Sequence, residues 1–167
     1  MSSLNLEIDD TPGNPLDIVE RIAIANDWSY DRQADDELAA ELPGQWCHYR
    51  LWFSWQADMG ILHLACALDI KVAPAKRLGF YHLLGLANEK LWLGHFDLWS
   101  EENVPVFRHA ILVRDAAAVG VETLEDLTEL ALGECERFFP AFQFHLRGGK
   151  APVEALAAAM LETEGEA

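Results

Sequence analysis

The chain has 167 residues, of which 51% are hydrophobic and 24% are charged, and its net charge at pH 7 is −16. This composition is typical of one globular domain and excludes a wholly disordered chain. The acidic balance is unfavourable for binding nucleic acid or an anionic membrane, both of which require clustered Lys and Arg. A basic or hydrophobic protein partner remains compatible with this charge, and so does acidity that serves solubility alone.

The N-terminus is acidic and lacks the cationic and apolar regions of a secretory signal. No apolar run reaches the about 20 residues that span a bilayer. The three cysteines are too few for a disulfide framework in a chain of this length, so we expect them to be reduced. These features predict a cytoplasmic protein that contacts neither membrane nor nucleic acid.

The first elements follow an acidic N-terminal segment, residues 1–13, that we expect to be disordered or loosely attached. Asn14 and Pro15 suit the N-cap and first position of an amphipathic helix over 15–26. Residues 28–42 predict an acidic hairpin that turns at Asp35 and Asp36.

The strongest pattern is a central hairpin, with strands over 45–56 and 61–70 and a loop in which Gly60 is available for positive φ. This loop brings the apolar residues of both strands onto one face, and a slip of one residue would oppose apolar to polar side chains. The predicted pairs on the apolar face are Tyr49 with Leu68, Leu51 with Cys66, Phe53 with Leu64, and Trp55 with Leu62.

The other face of this hairpin is mixed. Strand alternation places Trp46 and Trp52 there, and Ala65 and Ala67 leave space beside Trp52. Large aromatic side chains on a partly open sheet face suit a contact surface. The alternative is that a helix or loop of the same chain covers them, as is usual for Trp.

The second half of the chain predicts a helix over 74–90, strands over 91–99 and 104–113, and a helix from Thr123 that Pro140 should kink or break. The first of these helices has a predicted apolar stripe formed by Leu78, Tyr81, Leu84, Ala87 and Leu91. The second strand pair places His95 opposite Arg108, with Asp97 diagonal to that arginine, and Trp92 opposite Ile111. Gly148 and Gly149 end the long helix.

A final Ala-rich helix and an acidic tail occupy residues 151–167, after a domain that spans 14–150. Each strand pair is joined by a short loop. We therefore predict an α+β fold in which helices pack on one face of an antiparallel sheet.

The sequence shows no evident catalytic, metal or cofactor motif, since HExxH, paired CxxC, GxSxG and P-loop patterns are all absent. The predicted register also separates the histidines of the central hairpin. One polar cluster remains around the second strand pair: His95, Asp97, Arg108 and His109. It is either an ordinary cross-strand ion pair with neighbours or a small-molecule site.

Four short motifs, taken in order and spacing, resemble the YbjN family of bacterial proteins over roughly residues 15–150. They are Asn88-Glu89-Lys90-Leu91, Gly94-His95-Phe96, Phe107-Arg108-His109 and Arg137-Phe138-Phe139-Pro140-Ala141-Phe142. The resemblance implies a fold akin to type III secretion chaperones, a tendency to dimerise and a role in sensory-transduction regulation. It brings no catalytic residues.

The combined prediction is a non-enzymatic regulatory or chaperone-like adaptor that has no cofactor, forms a homodimer and binds a protein segment. The predicted contact residues are Trp46, Trp52, Trp99 and Arg108. The alternative is a small-molecule sensor or small enzyme that uses His95, Asp97, Arg108 and His109. A further alternative is a structural domain whose aromatics are covered by its own termini.

Overall fold

The structure is a computed structural model that describes residues 13–165, with side chains through residue 161. The expectation of a disordered N-terminal segment therefore falls almost wholly outside the described residues. In chain order the elements are α1 (Pro15–Ala25), β1 (Ser29–Ala34), β2 (Glu37–Pro43), β3 (His48–Gln56), β4 (Ile61–Leu68), α2 (Arg77–Asn88), β5 (His95–Trp99), β6 (Val104–Leu112), α3 (Val121–Leu146) and α4 (Pro152–Gly165).

The six strands form one antiparallel sheet in the order β1-β2-β3-β4-β6-β5. The predicted register of the central hairpin is confirmed at every pair from Tyr49–Leu68 to Trp55–Leu62. Gly60 closes the loop with φ +64°. The first hairpin also turns at Asp35 and Asp36, as predicted.

Helices seal one face of this sheet, because alternate strand residues point towards α1, α2 and α3 and are buried there. Phe96 of β5 is central to this core, with edge-to-face contacts to Phe107, Phe138 and Phe142 at centroid distances of 5.3–5.5 Å. The helix α4 packs on α2 and α3. The predicted α+β fold, an antiparallel sheet with helices on one face, is confirmed.

The buried face of α2 differs from the predicted stripe. Phe80, Leu83, Leu84 and Ala87 are buried, whereas Leu78 is 87% exposed and Tyr81 also faces solvent. The reason is that this helix carries apolar residues on most of its circumference, so the spacing alone does not select the core-facing side.

Two predicted boundaries were also wrong. The strand β5 begins at His95, so Trp92 lies outside the ladder, is 98% exposed and does not pair with Ile111. The helix α3 begins at Val121 after Gly120 and continues through Pro140 to Leu146. Phe138, Ala141 and Phe142 are fully buried around that proline, and their packing compensates for the missing backbone bond.

Candidate contact surface

The face of the sheet opposite α1, α2 and α3 forms the open face. Its central row runs from Trp52 on β3 through Ala65 on β4 and Arg108 on β6 to His95 on β5, since these residues are register partners. Successive residues of a strand point to opposite faces of the sheet. The register that the central loop establishes therefore places this row on the open face and its neighbours on the sealed face.

Trp52 and Trp99 are the dominant feature of the open face. Their rings meet edge-to-face, with centroids 6.3 Å apart and an interplanar angle of 82°. Two strands, β4 and β6, lie between β3 and β5. Because neighbouring strands are about 4.8 Å apart, the two indoles must reach across the small residues of β4 to meet. Ala65 is accordingly only 3% exposed although it lies on the open face.

A cavity of about 530 Å³ opens beside this tryptophan pair, and a second of about 810 Å³ lies next to it along the face. Both are open to solvent on one side and share Glu101 and Glu102 of the β5–β6 loop as lining residues. Arg108 and His63 line the first cavity, and Arg50 lines the second. We call these two cavities, which share Glu101 and Glu102, the groove of the open face; the tryptophan pair lines one of them and charged side chains line both.

The β5–β6 loop is held in place from behind. Arg77 of α2 donates through Nε to the Asn103 side chain at 2.8 Å, and also donates to the Ser100 carbonyl. The Val72 amide donates to the Asn103 carbonyl at 2.8 Å. These bonds position Glu101 and Glu102 at the edge of the groove while their side chains remain exposed.

Both arginines on the open face have a carboxylate partner. Arg108 lies 3.8 Å from Asp97, which confirms the predicted diagonal pair, and Arg50 lies 3.8 Å from Glu41. All four side chains are substantially exposed, so each pair contributes little to stability. Arg50 lines the larger cavity and Arg108 lines the cavity beside the tryptophan pair.

The alternative polar cluster does not converge on one site. His95, Asp97 and Arg108 share the open face, whereas His109 points to the opposite side, opposite Leu64. Of the four, only Arg108 lines a cavity described above.

The pKa values of His63 and His109, two histidines near Arg108, are lowered by their surroundings. Burial lowers the pKa of His63, and the electrostatic influence of Arg108, then of His95 and His109, lowers it further. Burial also lowers the pKa of His109, with a contribution from His95. Among the described residues, no group of three or more His, Cys, Asp or Glu side chains is arranged to hold a metal ion.

Trp46 does not share the open face with Trp52, so the predicted placement was wrong. The strand begins only at His48, and residues 44–47 form a turn closed by the Gly44 amide and the Cys47 carbonyl at 2.9 Å. This turn interrupts the alternation on which the prediction relied. Trp46 instead stacks on Phe139 of α3, with centroids 6.0 Å apart, and remains 49% exposed.

A second exposed surface, absent from the sequence prediction, lies on the outer side of α2. We call it the helix patch: Leu78, Tyr81, Gly85, Trp92 and Leu93, all of them exposed. A Cβ on Gly85 would meet no atom within 4 Å, so this position is open to close approach. The sequence feature that could have indicated this surface is its charge, since residues 70–88 contain no Asp or Glu although the chain is strongly acidic.

The architecture defines the class of protein: a small α+β domain with a single antiparallel sheet, sealed by helices on one face and open on the other. Residues 15–144 match the family model of YbjN, which is described as "Putative bacterial sensory transduction regulator", and the chain belongs to this family. The resemblance inferred from the four motifs is thereby confirmed.

Two solved structures are similar to this one. The crystal structure of YbjN from E. coli, titled "a putative transcription regulator", matches with a TM-score of 0.52 and 12% identity over 88% of this chain and 93% of that chain. A chain of the ExsC–ExsE complex matches with a TM-score of 0.46 and 16% identity over 73% of this chain and 88% of that chain. Among curated proteins, none matches this sequence. Within the described residues, every helix is too short or too polar to cross a membrane.

The residues that carry the family resemblance are structural. The Asn88 side chain accepts from the Phe96 amide at 2.6 Å and donates to its carbonyl at 3.0 Å, which ties the end of α2 to β5. Phe107, Phe138 and Phe142 pack around the same Phe96. The motifs shared with the family therefore explain how the sealed face packs. They do not explain the open face, whose role must be inferred from its own residues.

Proposed function

We propose that this protein is a non-enzymatic cytoplasmic adaptor with a regulatory role, which binds a protein segment on its open face and pairs with a second copy of itself. The observation that carries the proposal is the Trp52–Trp99 pair, which lies over an open cavity with Arg108 beside it. Trp and Arg are the side chains that most often dominate protein–protein binding energy. The family's description as a regulator supports the same role.

The shape of the open face favours a polypeptide over a small substrate. The two cavities share Glu101 and Glu102 and are open to solvent, which suits an extended chain better than a small molecule that needs to be enclosed. The polar residues of the alternative sensor or enzyme are divided between the two faces of the sheet. A cytoplasmic location agrees with the free thiols of Cys47, Cys66 and Cys135.

The segment-binding role is testable with a displayed library of random peptides selected on the intact protein. Trp52→Ala and Trp99→Ala should each abolish capture of most selected peptides, because each removes half of the aromatic floor. Trp46→Ala is the matched control, since this half-exposed indole lies against α3 and not on the open face. Peptides that bind all three variants equally, or a selection that yields none, would overturn the proposed role.

The self-association part of the proposal uses the helix patch. Leu78 and Trp92 are almost fully exposed, and isolated apolar patches of this kind mark interfaces. Two copies of a chain with a net charge of −16 repel each other, and the repulsion is smallest where the acidic residues are absent. A two-fold axis through the helix patch brings together two α2 helices without an Asp or Glu, and Gly85 permits close contact.

Light scattering coupled to size exclusion tests this interface. The wild type should elute as a dimer, and the double variant Leu78→Ser/Trp92→Ser as a monomer. Leu112→Ser is the control, because Leu112 is equally exposed but lies at the end of β6 on the open face. A monomeric wild type, or a variant that remains dimeric, would contradict the proposed interface.

A further inference from the structure

The charges around the open face identify the chemistry of the segment that it binds. We propose that this segment is cationic and amphipathic: its apolar side chains contact Trp52 and Trp99, and its Lys or Arg side chains bind the carboxylates along the edge of the groove. The inference rests on the proposed function, because it specifies the partner of the same surface.

Carboxylates outnumber the Lys and Arg side chains in both cavities. The larger cavity is lined by four carboxylates and only two cations, Arg50 and Lys71. The cavity beside the tryptophan pair is lined by Glu101 and Glu102 against Arg108 alone. Glu101 and Glu102 line both cavities, so an extended segment that crosses the open face passes this pair of carboxylates in either cavity.

The two arginines of the groove are already paired, whereas Lys71 forms no ion pair within the described residues. Arg50 and Arg108 each have a carboxylate partner at 3.8 Å on the floor of the sheet. Within the described part of the chain, Asp69, Glu101 and Glu102 form no ion pair, and all three are exposed. These three acids remain available to an incoming partner.

The aromatic centre suits the same partner. A cation over the face of an indole is attracted by the ring quadrupole, and Trp is the strongest side chain in this respect. His63 adds no compensating charge near neutral pH, because burial, followed by the influence of Arg108, His95 and His109, lowers its pKa. The net charge of −16 steers a basic segment towards the surface.

Other occupants are less compatible with these charges. An acidic segment would bring its carboxylates against Glu101 and Glu102, which the loop contacts of Arg77 hold in position. A second copy of the chain would meet the open face with another strongly negative surface. The same charges thus explain how the open face and the helix patch select different partners.

The proposal is testable with three labelled peptides of about ten residues, long enough to cross the sheet at about 3.3 Å per residue. All three peptides have Leu or Val at every second position. The positions between them are Lys in the first peptide, Gln in the second and Glu in the third. Fluorescence anisotropy with the full-length protein should show that the Lys peptide binds about tenfold more tightly than the Gln peptide, as two or three exposed ion pairs supply. Its affinity should fall as salt rises from about 50 mM to about 300 mM.

The double variant Glu101→Gln/Glu102→Gln should reduce the affinity for the Lys peptide about tenfold and leave that for the Gln peptide unchanged. Glu125→Gln/Glu129→Gln changes the net charge equally on the exposed side of α3, and should have little effect.

If all three peptides bind equally and Trp52→Ala weakens each of them, the cationic preference is wrong while the proposed function stands. Tighter binding of the Glu peptide would also overturn the inference. If no peptide binds the wild type, the proposed function fails as well.

Discussion

The two faces of the sheet differ although the same strands build both. On β3, Leu51 and Phe53 are fully buried under the helices, whereas their neighbours Arg50 and Trp52 remain accessible on the open face. The sealed face carries the phenylalanines and the Asn88 contact that define the family resemblance. The open face carries aromatic and charged groups that the core does not require.

This contrast separates stability from recognition within one hairpin. A side chain on the sealed face is constrained by close packing, because a change of volume creates a cavity or a clash. A side chain on the open face contacts few neighbours, so its identity is free to match a partner. Substitutions of adjacent residues on β3 should therefore have opposite consequences for folding and for binding.

The largest effect should come from Phe53→Ala, with Trp52→Ala as its partner on the other face. Phe53 is fully buried, so its truncation should lower the free energy of unfolding by about 3 to 5 kcal/mol. Trp52→Ala removes the edge contact with Trp99 and should cost only about 1 kcal/mol. Urea denaturation followed by circular dichroism measures both.

Peptide binding should rank the two substitutions in the opposite order from stability. Trp52→Ala should lose peptide capture while it remains folded, and Phe53→Ala should retain capture at any temperature at which it is still folded. Equal destabilisation by the two substitutions would mean that the open face belongs to the core, and the distinction between the faces would be wrong.

The central hairpin shows how much of the fold the sequence determines locally. Its register follows from a short loop that ends at Gly60 and from the apolar side chains at every second position of each strand that face the helices, such as Phe53 and Leu64. Both signals are local and agree with each other. The pairs of the second hairpin, including His95 with Arg108, follow for the same reason.

The errors occur where local patterns are ambiguous or end. Trp46 precedes the strand by two residues, and a turn held by Glu136 removes it from the alternation. The helix α2 is apolar on most sides, so its packing against β5, α3 and α4 decides that Phe80 is buried and Leu78 exposed. Tertiary packing therefore determines both the position of Trp46 and the buried side of α2.

The candidate site was predictable in its parts but not in its assembly. Trp52 and Arg108 follow from their strands, and Trp99 was predicted as a contact residue. Their meeting depends on the strand order β4-β6-β5, in which β6 pairs with a strand that is not its neighbour in sequence. Hairpin patterns carry no information on such long-range pairing, and they do not place Glu101 and Glu102 at the groove.

A moderate effect should follow from Tyr49→Phe, which tests how the sealed face accommodates a polar group. The Tyr49 hydroxyl donates to Glu136 of α3 at 2.9 Å, and the Gln45 amide donates to the same carboxylate at 2.6 Å. Burial, reinforced by the bond to Glu136, raises the pKa of Tyr49 far above its ordinary value. Loss of the hydroxyl should lower the free energy of unfolding by roughly 1 to 2 kcal/mol.

The control for this substitution is Tyr30→Phe, whose hydroxyl donates to Glu20 at 3.2 Å at the accessible side of α1. We expect a smaller loss of stability there, because water replaces the exposed bond. Chemical denaturation of both variants under the same conditions makes the comparison. A larger effect at Tyr30 would contradict the assignment of Tyr49 to the sealed face.

The smallest effect should be that of His63→Gln on the pH dependence of stability. In the folded protein the pKa of His63 is lowered, first by burial and then by Arg108, His95 and His109, so the unfolded chain binds a proton more readily. The stability that neutral His63 provides is complete above the ordinary histidine pKa and is lost as pH falls towards the lowered value. The wild type should therefore become less stable between pH 7 and pH 5, and His63→Gln should reduce this slope. If stability depends on pH equally in the wild type and in His63→Gln, folding does not remove the His63 side chain from water. The argument that His63 adds no positive charge to the cavity beside Trp52 would then be wrong.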